Sequence, residues 1–290
     1  RHKGCLALAE SPDLEVWEVR EPFWSPDLYY THECPDLFRW GGWWYLIYST
    51  FSERCVTHYR MSRTLAGPWI AAQTDTFDGR AFYAAKTVSD GQRRFLCGWL
   101  PTREGECDQG KWQWGGNLVV HELRQEADGA LSVHPVHAVL AQLARSQPPG
   151  PRPLLGEWKI EQPNFHTRSL GRFSALSLGE MPDPCCLQVD VDWEPGTAAF
   201  GLLLRAAPDL EGYYQVRVEP GRQRLVIDRW PRPGDQPFML ERPLPLAPGK
   251  RIALRLLVQG SCLVVYADDA VALSCRMYDH PQGEWGPFVS

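Results

Sequence analysis

At 290 residues, 44% hydrophobic and 12% aromatic, the chain is long enough to bury two cores and too apolar for a disordered segment. A net charge of −5 and a pI near 5.9, with the basic residues scattered instead of gathered on one face, argue against nucleic acid as a partner. No run of about 18 apolar residues occurs, so nothing reads as a membrane-spanning helix.

In chain order, residues 4–10, 43–50, 55–61, 93–100 and 117–123 read as short strands rich in Leu, Val, Tyr and Trp. Turn signals such as Ser-Pro-Asp, Gly-Gly and Asp-Gly separate them. Trp40-Gly41-Gly42-Trp43 is a hairpin signal, with a two-residue glycine turn feeding an aromatic strand. Helical stretches are scarce. Residues 141–163, proline-rich and without a period, read as an interdomain linker. Beyond them, 173–178, 185–193, 198–206, 213–219, 223–230, 251–258, 261–267, 270–277 and 284–289 read as strands at about 10-residue spacing, the signature of an antiparallel β-sandwich over 164–290.

Nine cysteines is an odd count. Cys5, Cys97, Cys262 and Cys275 sit in apolar strand-like runs, and the vicinal Cys185-Cys186 pair suits free thiols in a reducing compartment, which favours the cytoplasm. No Cys-x-x-Cys pair occurs, and His134-Pro135-Val136-His137 falls in an expected loop, so no metal is expected. Glycine-rich phosphate loops are absent too, and no nucleotide cofactor is expected.

The stretch most suggestive of chemistry is Thr31-His32-Glu33-Cys34-Pro35-Asp36-Leu37-Phe38. Pro35 has a fixed φ and biases Cys34 toward extended geometry, so the expectation is a stiff piece of strand end or loop carrying Glu33. A carboxyl held rigidly among apolar rings is suited to proton donation. A single Glu in an aromatic-rich β protein is nonetheless more often a surface or ion-paired residue.

Glu33-Cys34-Pro35-Asp36-Leu37-Phe38 resembles the acid/base motif of glycoside hydrolase family 32, the β-fructofuranosidases (invertases, inulinases, levanases). Upstream, Ser11-Pro12-Asp13-Leu14 followed by Trp17 resembles the family's Ser-x-Asp-Leu-x-x-Trp. Downstream, Asp78-Gly79-Arg80-Ala81-Phe82-Tyr83-Ala84 resembles Asp-x-Gly-x-Asp-Phe-Tyr-Ala, and Arg94-Phe95-Leu96-Cys97-Gly98-Trp99 resembles Arg-x-Leu-x-Gly-Trp. Trp114-Gly115-Gly116 and Glu122-Leu123 complete the series in family order.

The resemblance implies a five-bladed β-propeller followed by a C-terminal β-sandwich, an all-β fold. At roughly 40–50 residues per four-stranded blade, residues 1–140 hold about three blades. The chain opens on Arg1 without an initiator Met, so the expectation is that two blades precede it and that the partial propeller here needs them as partners.

The resemblance further implies a retaining glycosidase on an oligo- or disaccharide, a mechanism that uses two carboxyls about 5–5.5 Å apart. Glu33 is the expected acid/base. The family's nucleophile lies in an Asn-Asp-Pro-Asn-Gly-type motif and another Asp in Arg-Asp-Pro; neither occurs here, so this chain is expected to supply the acid and not the nucleophile.

Asp36, Tyr83, Trp99 and Trp114 are candidate substrate-binding residues. Tyr83 and Trp114 are expected to converge with Glu33 on one funnel, although an Asp after a strand end also caps turns, and most of thirteen Trp must be packing residues. Phe82 is a pocket or core aromatic, and His32 a tuning or structural histidine. Lys86 departs from the usual family residue and marks either a different substrate or a solvated lysine. Two other readings remain: a catalytically silent carbohydrate-binding or structural interaction protein, and a hydrolase of another furanoside such as arabinan, since Gly67-Pro68-Trp69 resembles loops of the arabinanase propellers.

Overall fold

Gly41 and Gly42 lie at φ 54° and 82°, the pair of left-handed residues that a tight hairpin between twisted strands requires. The expected aromatic hairpin forms around them, with Trp40 opposite Trp43. The computed structural model describes residues 3–52, 55–143, 150–232, 239–247 and 249–290. It is 54% strand and 4% helix, against roughly a third helix in an average globular protein, so the fold is all-β. The chain divides into two compact units, Arg1–Trp99 with Leu118–Ser132, and Leu100–Asn117 with Val133–Ser290.

Over the described residues, β1 (Leu6–Glu10) and β2 (Glu18–Trp24) form a two-stranded sheet. β3 (Glu33–Trp40), β4 (Trp43–Thr50) and β5 (Val56–Ser62) form an antiparallel three-stranded one. β6 (Tyr83–Ser89), β7 (Arg94–Arg103), β8 (Trp112–Gln125) and β9 (Leu131–Pro135) form a four-stranded sheet. These three sheets occupy the stretch expected to hold about three blades.

Aromatic residues supply much of the packing in the first unit. Tyr45, Tyr48, Tyr59, Phe77 and Phe82 are all essentially inaccessible, and Tyr59 stacks on Phe77 at 5.0 Å. The buried Tyr45 hydroxyl is satisfied, donating to Gly129 O at 2.6 Å. Close packing also fixes Gly98, where an added Cβ would sit 2.4 Å from Phe82 Cζ. We expect Gly98→Ala to destabilise the protein by about 1–3 kcal/mol in urea unfolding. An unchanged midpoint would mean that the Phe82 ring yields freely.

In the second unit, α1 (His137–Gln142) precedes β10 (Arg152–Leu155), β11 (Trp158–Glu161), β12 (Asn164–Thr167), β13 (Ser174–Ser177) and β14 (Cys185–Val191). Then come β15 (Phe200–Ala206), β16 (Tyr213–Glu219), β17 (Arg224–Trp230) and β18 (Met239–Pro243). β19 (Ile252–Gln259), β20 (Cys262–Ala267), β21 (Val271–Arg276) and β22 (Glu284–Val289) complete it. The larger sheet runs β10-β13-β22-β15-β16-β17-β18 and the smaller β14-β19-β20-β21, with antiparallel neighbours.

Their facing side chains make one core: Leu202 and Leu204 of β15, Val216 of β16 and Ile227 of β17 with Leu254, Leu256, Leu263 and Val265. Each such side chain contributes about 1.5–3 kcal/mol of burial. On the opposite face of β15, Leu203 joins a smaller cluster with Ala175 and Phe288.

Two details differ from expectation. The stretch read as a linker contains strands: β10 docks on β13, with Arg152 opposite Ser177 and Pro153 opposite Leu176. Pro153 fits because β10 is the outermost strand, where a missing N–H breaks no interior ladder. Residues 144–149 of that stretch lie outside the described residues. His134 and His137, expected in a loop, instead lie in β9 and at the start of α1.

Sequence patterning also missed a polar cluster in this unit. Asp108, 2% exposed, accepts the Tyr214 hydroxyl at 2.5 Å, Arg229 Nη1 at 3.3 Å and the Tyr278 N–H at 2.9 Å. Arg229 also pairs with Asp279. Arg276 donates to Leu100 O at 2.6 Å, Pro101 O at 3.2 Å and Asn117 Oδ1 at 2.8 Å. These bonds tie the 100–117 segment into the unit that holds the sandwich.

Candidate active site

Glu33 opens β3, and the strand is irregular at once. Glu33 pairs with Ser49 and Asp36 with Ile47, so three steps on β3 match two on β4. Cys34 absorbs the extra residue at φ 52°, which corrects the expectation of extended geometry there. The Pro35 ring disfavours the right-handed helical region for Cys34, but a bulge is met by the left-handed one. Because Ser49 and Ile47 share a face of β4, Glu33 and Asp36 share a face of β3 despite their odd spacing.

The same device recurs on β6. Tyr83 pairs with Trp99 and Lys86 with Cys97, with Ala84 at φ 52°. Tyr83, 2% exposed, donates its hydroxyl to Glu33 Oε2 at 2.5 Å. Burial raises the Tyr83 phenol well above its usual range, and the Glu33 carboxylate adds to the rise, so Tyr83 stays a donor.

Ser49, directly opposite Glu33, accepts the Ala84 N–H at 3.1 Å and lies 2.9 Å from the Thr57 hydroxyl. One buried hydroxyl therefore meets the strand of the acid and the bulge that aims Tyr83. Nothing in the spacing of Ser49 signalled this, because the bond is to backbone in a strand distant in sequence.

Asp36 Oδ2 accepts both the N–H and the hydroxyl of Thr87, each at 2.7 Å, and Arg94 Nη1 donates to the same hydroxyl at 2.8 Å. Lys86 Nζ donates to Pro35 O at 2.5 Å. The two Asp36–Thr87 bonds and the Lys86–Pro35 bond join β3 to β6. Trp99 is half-buried beside Tyr83 across the β6–β7 ladder. Trp114 is 71% exposed and belongs to the other compact unit.

Phe82 is core, 1% exposed and 4.9 Å from the His121 ring, while its neighbour Tyr83 turns to Glu33. His32 is buried among Trp24, Tyr29 and Tyr48, with ring centroids 5.1 to 5.7 Å away.

A further pair escaped the sequence reading. Asp78 and His121, both buried, lie 3.1 Å apart, and Asp78 Oδ1 accepts the Gly79 N–H at 2.5 Å, stiffening the approach to Tyr83. Their partnership spans 43 residues, so local pattern could not reveal it. Chemically, the site offers one carboxyl on a bulged strand end, oriented by a buried phenol, able to give or take a proton at an adjacent oxygen. Among the described residues, no group of three His, Cys, Asp or Glu comes together as a metal site.

Residues 1–135 match the family described as Glycosyl hydrolases family 32 N-terminal domain, and residues 161–287 that described as Glycosyl hydrolases family 32 C terminal. The sucrose-6-phosphate hydrolase of Escherichia coli is 24% identical over 299 residues, covering 96% of this chain and 57% of the relative. The raffinose invertase of Escherichia coli is 29% identical over 141 residues, covering 44% of this chain and 29% of the relative.

Among solved structures, the exo-inulinase from Aspergillus awamori aligns with a TM-score of 0.67 at 15% identity, covering 98% of this chain and 59% of that one. The sucrose-6-phosphate hydrolase from Lactobacillus gasseri aligns with a TM-score of 0.64 at 17% identity, covering 99% and 60%. At these identities the likeness is one of fold. The chain spans little more than half the length of the Escherichia coli sucrose-6-phosphate hydrolase.

Proposed function

The chain belongs to glycosyl hydrolase family 32, and from that premise we propose that the protein hydrolyses fructofuranosides of the sucrose or fructan type, with Glu33 as acid and then base on the leaving oxygen. The observation that carries this reading is the Glu33–Tyr83 pair: a half-buried carboxyl fixed by a 2.5 Å phenol bond between two bulged strands. In a retaining mechanism a second carboxylate attacks the anomeric carbon while Glu33 protonates the departing sugar, and Glu33 then deprotonates the incoming water. This chain contributes the acid half of that pair, since its sequence holds neither an Asn-Asp-Pro nor an Arg-Asp-Pro motif. Trp99, beside Tyr83, offers a ring face to the sugar, and Asp36 acts with Thr87 to position β3 against β6. Relatives named for sucrose-6-phosphate and raffinose support a saccharide substrate.

Fructose release from sucrose or its phosphate ester, with retention of anomeric configuration followed by NMR, tests the proposal in the full-length protein. Saccharide binding without fructose release would favour the silent carbohydrate-binding reading. Within the hydrolase reading, Tyr83→Phe removes a hydrogen bond to a charged group and should lower kcat about ten- to a hundredfold without unfolding the protein. A kcat within about twofold of the unsubstituted protein would leave Tyr83 only a packing role.

A further inference from the structure

Glu33 of β3, Ser49 of β4 and Thr57 of β5 form one cross-strand row, since Glu33 pairs with Ser49 and Ser49 with Thr57. Side chains in such a row emerge on one face of the sheet. All three grip the same residue. Glu33 accepts the Tyr83 phenol at 2.5 Å, Ser49 Oγ accepts the Ala84 N–H at 3.1 Å, and Thr57 Oγ1 donates to Phe82 O at 3.5 Å. Phe82 O and the Ala84 N–H belong to the two peptide groups that flank Tyr83. A carbonyl only accepts, so the single Thr57 hydroxyl hydrogen goes to Phe82, and the 2.9 Å bond between the two hydroxyls runs from Ser49 to Thr57. The donors therefore follow one direction, from Ala84 through Ser49 and Thr57 to Phe82, and each bond polarises the next.

We propose that the Ser49–Thr57 hydroxyl pair is a positioning device for the acid, fixing Tyr83 by both of its peptide groups so that the phenol orients Glu33. The proposal rests on the hydrolase reading of the same site. Tyr83 needs such a hold because its neighbours are not relaxed: Ala81 and Ala84 lie at φ 94° and 52°, in the left-handed region that residues with a Cβ disfavour. A segment keeps that conformation only where its surroundings over-determine it. Packing alone does not call for hydroxyls here. Ser49 and Thr57 are 0% and 2% exposed, and Ala and Val would fill nearly the same space with no polar group to satisfy. Buried to that degree, the two residues act through Tyr83 and not on the sugar.

The experiment measures kcat and KM for fructose release from sucrose or its phosphate ester by the full-length protein, per folded molecule as judged by near-UV circular dichroism. Ser49→Ala, Thr57→Val and Thr57→Ser are each made alone and together with Tyr83→Phe. Ser49→Ala should lower kcat about five- to twentyfold, the loss of one buried hydrogen bond, with KM within about twofold. Thr57→Val removes the longest of the three contacts and should lower kcat about three- to tenfold, and Thr57→Ser, which restores the hydroxyl, should recover most of that. With Tyr83→Phe in place, the same changes should cost less than about a further twofold, because the phenol they aim is already gone. Losses that multiply in full with Tyr83→Phe would show that the two hydroxyls only support the fold. An unchanged kcat in Ser49→Ala and Thr57→Val would show that Tyr83 is held without them. Either result, or a Tyr83→Phe protein as active as the unsubstituted one, overturns the proposal and leaves the hydrolase reading intact. Failure of the unsubstituted protein to release fructose from either sugar would overturn the hydrolase reading itself, and this inference with it.

Discussion

Glu33→Gln should cut turnover of the full-length protein on sucrose by about a hundred- to ten-thousandfold, the contribution typical of a positioned general acid. Gln keeps the shape of Glu and can still accept the Tyr83 hydroxyl, so the bulge at Cys34 and the β3–β6 contacts have no reason to move. What it cannot do is give up a proton. The loss should therefore depend on the leaving group. An alkoxide-like sugar oxygen needs protonation as the bond breaks, whereas an activated aryl leaving group departs as a stable anion and needs little. Fructosides with good leaving groups should retain most of their bond-cleavage rate. Equal losses on both substrate types would assign Glu33 to binding or to the fold instead of proton transfer.

Asp108→Ala should destabilise the protein by about 3–5 kcal/mol, a large share of the total stability of any domain. The carboxylate is buried and answers three donors at once: a phenol, a guanidinium and a backbone N–H. Its removal leaves the Tyr214 hydroxyl without its acceptor in a site where burial, followed by the Asp108 charge, already holds that phenol far above its usual range. Arg229 keeps its ion pair with Asp279, which places the expected cost nearer the lower end. Denaturant unfolding followed by Trp fluorescence measures it. A companion Asp108→Ala with Tyr214→Phe should lose less than the sum of the two single changes, because the phenol is stranded only when its acceptor is gone. A cost under about 1 kcal/mol for Asp108→Ala would mean that water replaces the carboxylate, and the cluster would then contribute nothing specific to stability.

Much of the fold was legible along the chain because strands announce themselves locally. The sandwich strands expected at 213–219 and 284–289 form at those bounds, and the glycine pair at 41 and 42 makes its hairpin, since alternation and left-handed turn residues act over a few positions. Strands that lack this alternation were missed. β2 is largely exposed, and β10 is an outer strand in a proline-rich stretch that passes for a linker, its own Pro153 being tolerated at the sheet edge. β3 begins on a bulge that hides its period.

By itself the sequence determined an all-β chain, the position of its turns, and, through the ordered motifs around Glu33-Cys34-Pro35-Asp36, which family it joins. Those properties depend on residue type and short spacing. Only the tertiary structure decided what surrounds the acid. Tyr83 lies 50 residues from Glu33 and Ser49 lies 35 from Ala84, and paired one-residue bulges turn each strand end to the shared face. Tertiary contacts also assigned Leu100–Asn117 to the unit that holds the sandwich, through Asp108 and Arg276 bonds that span more than a hundred residues. Hydrogen bonds across such separations are chosen by which strands the pairing brings side by side, and a single bulge reverses which side chains meet.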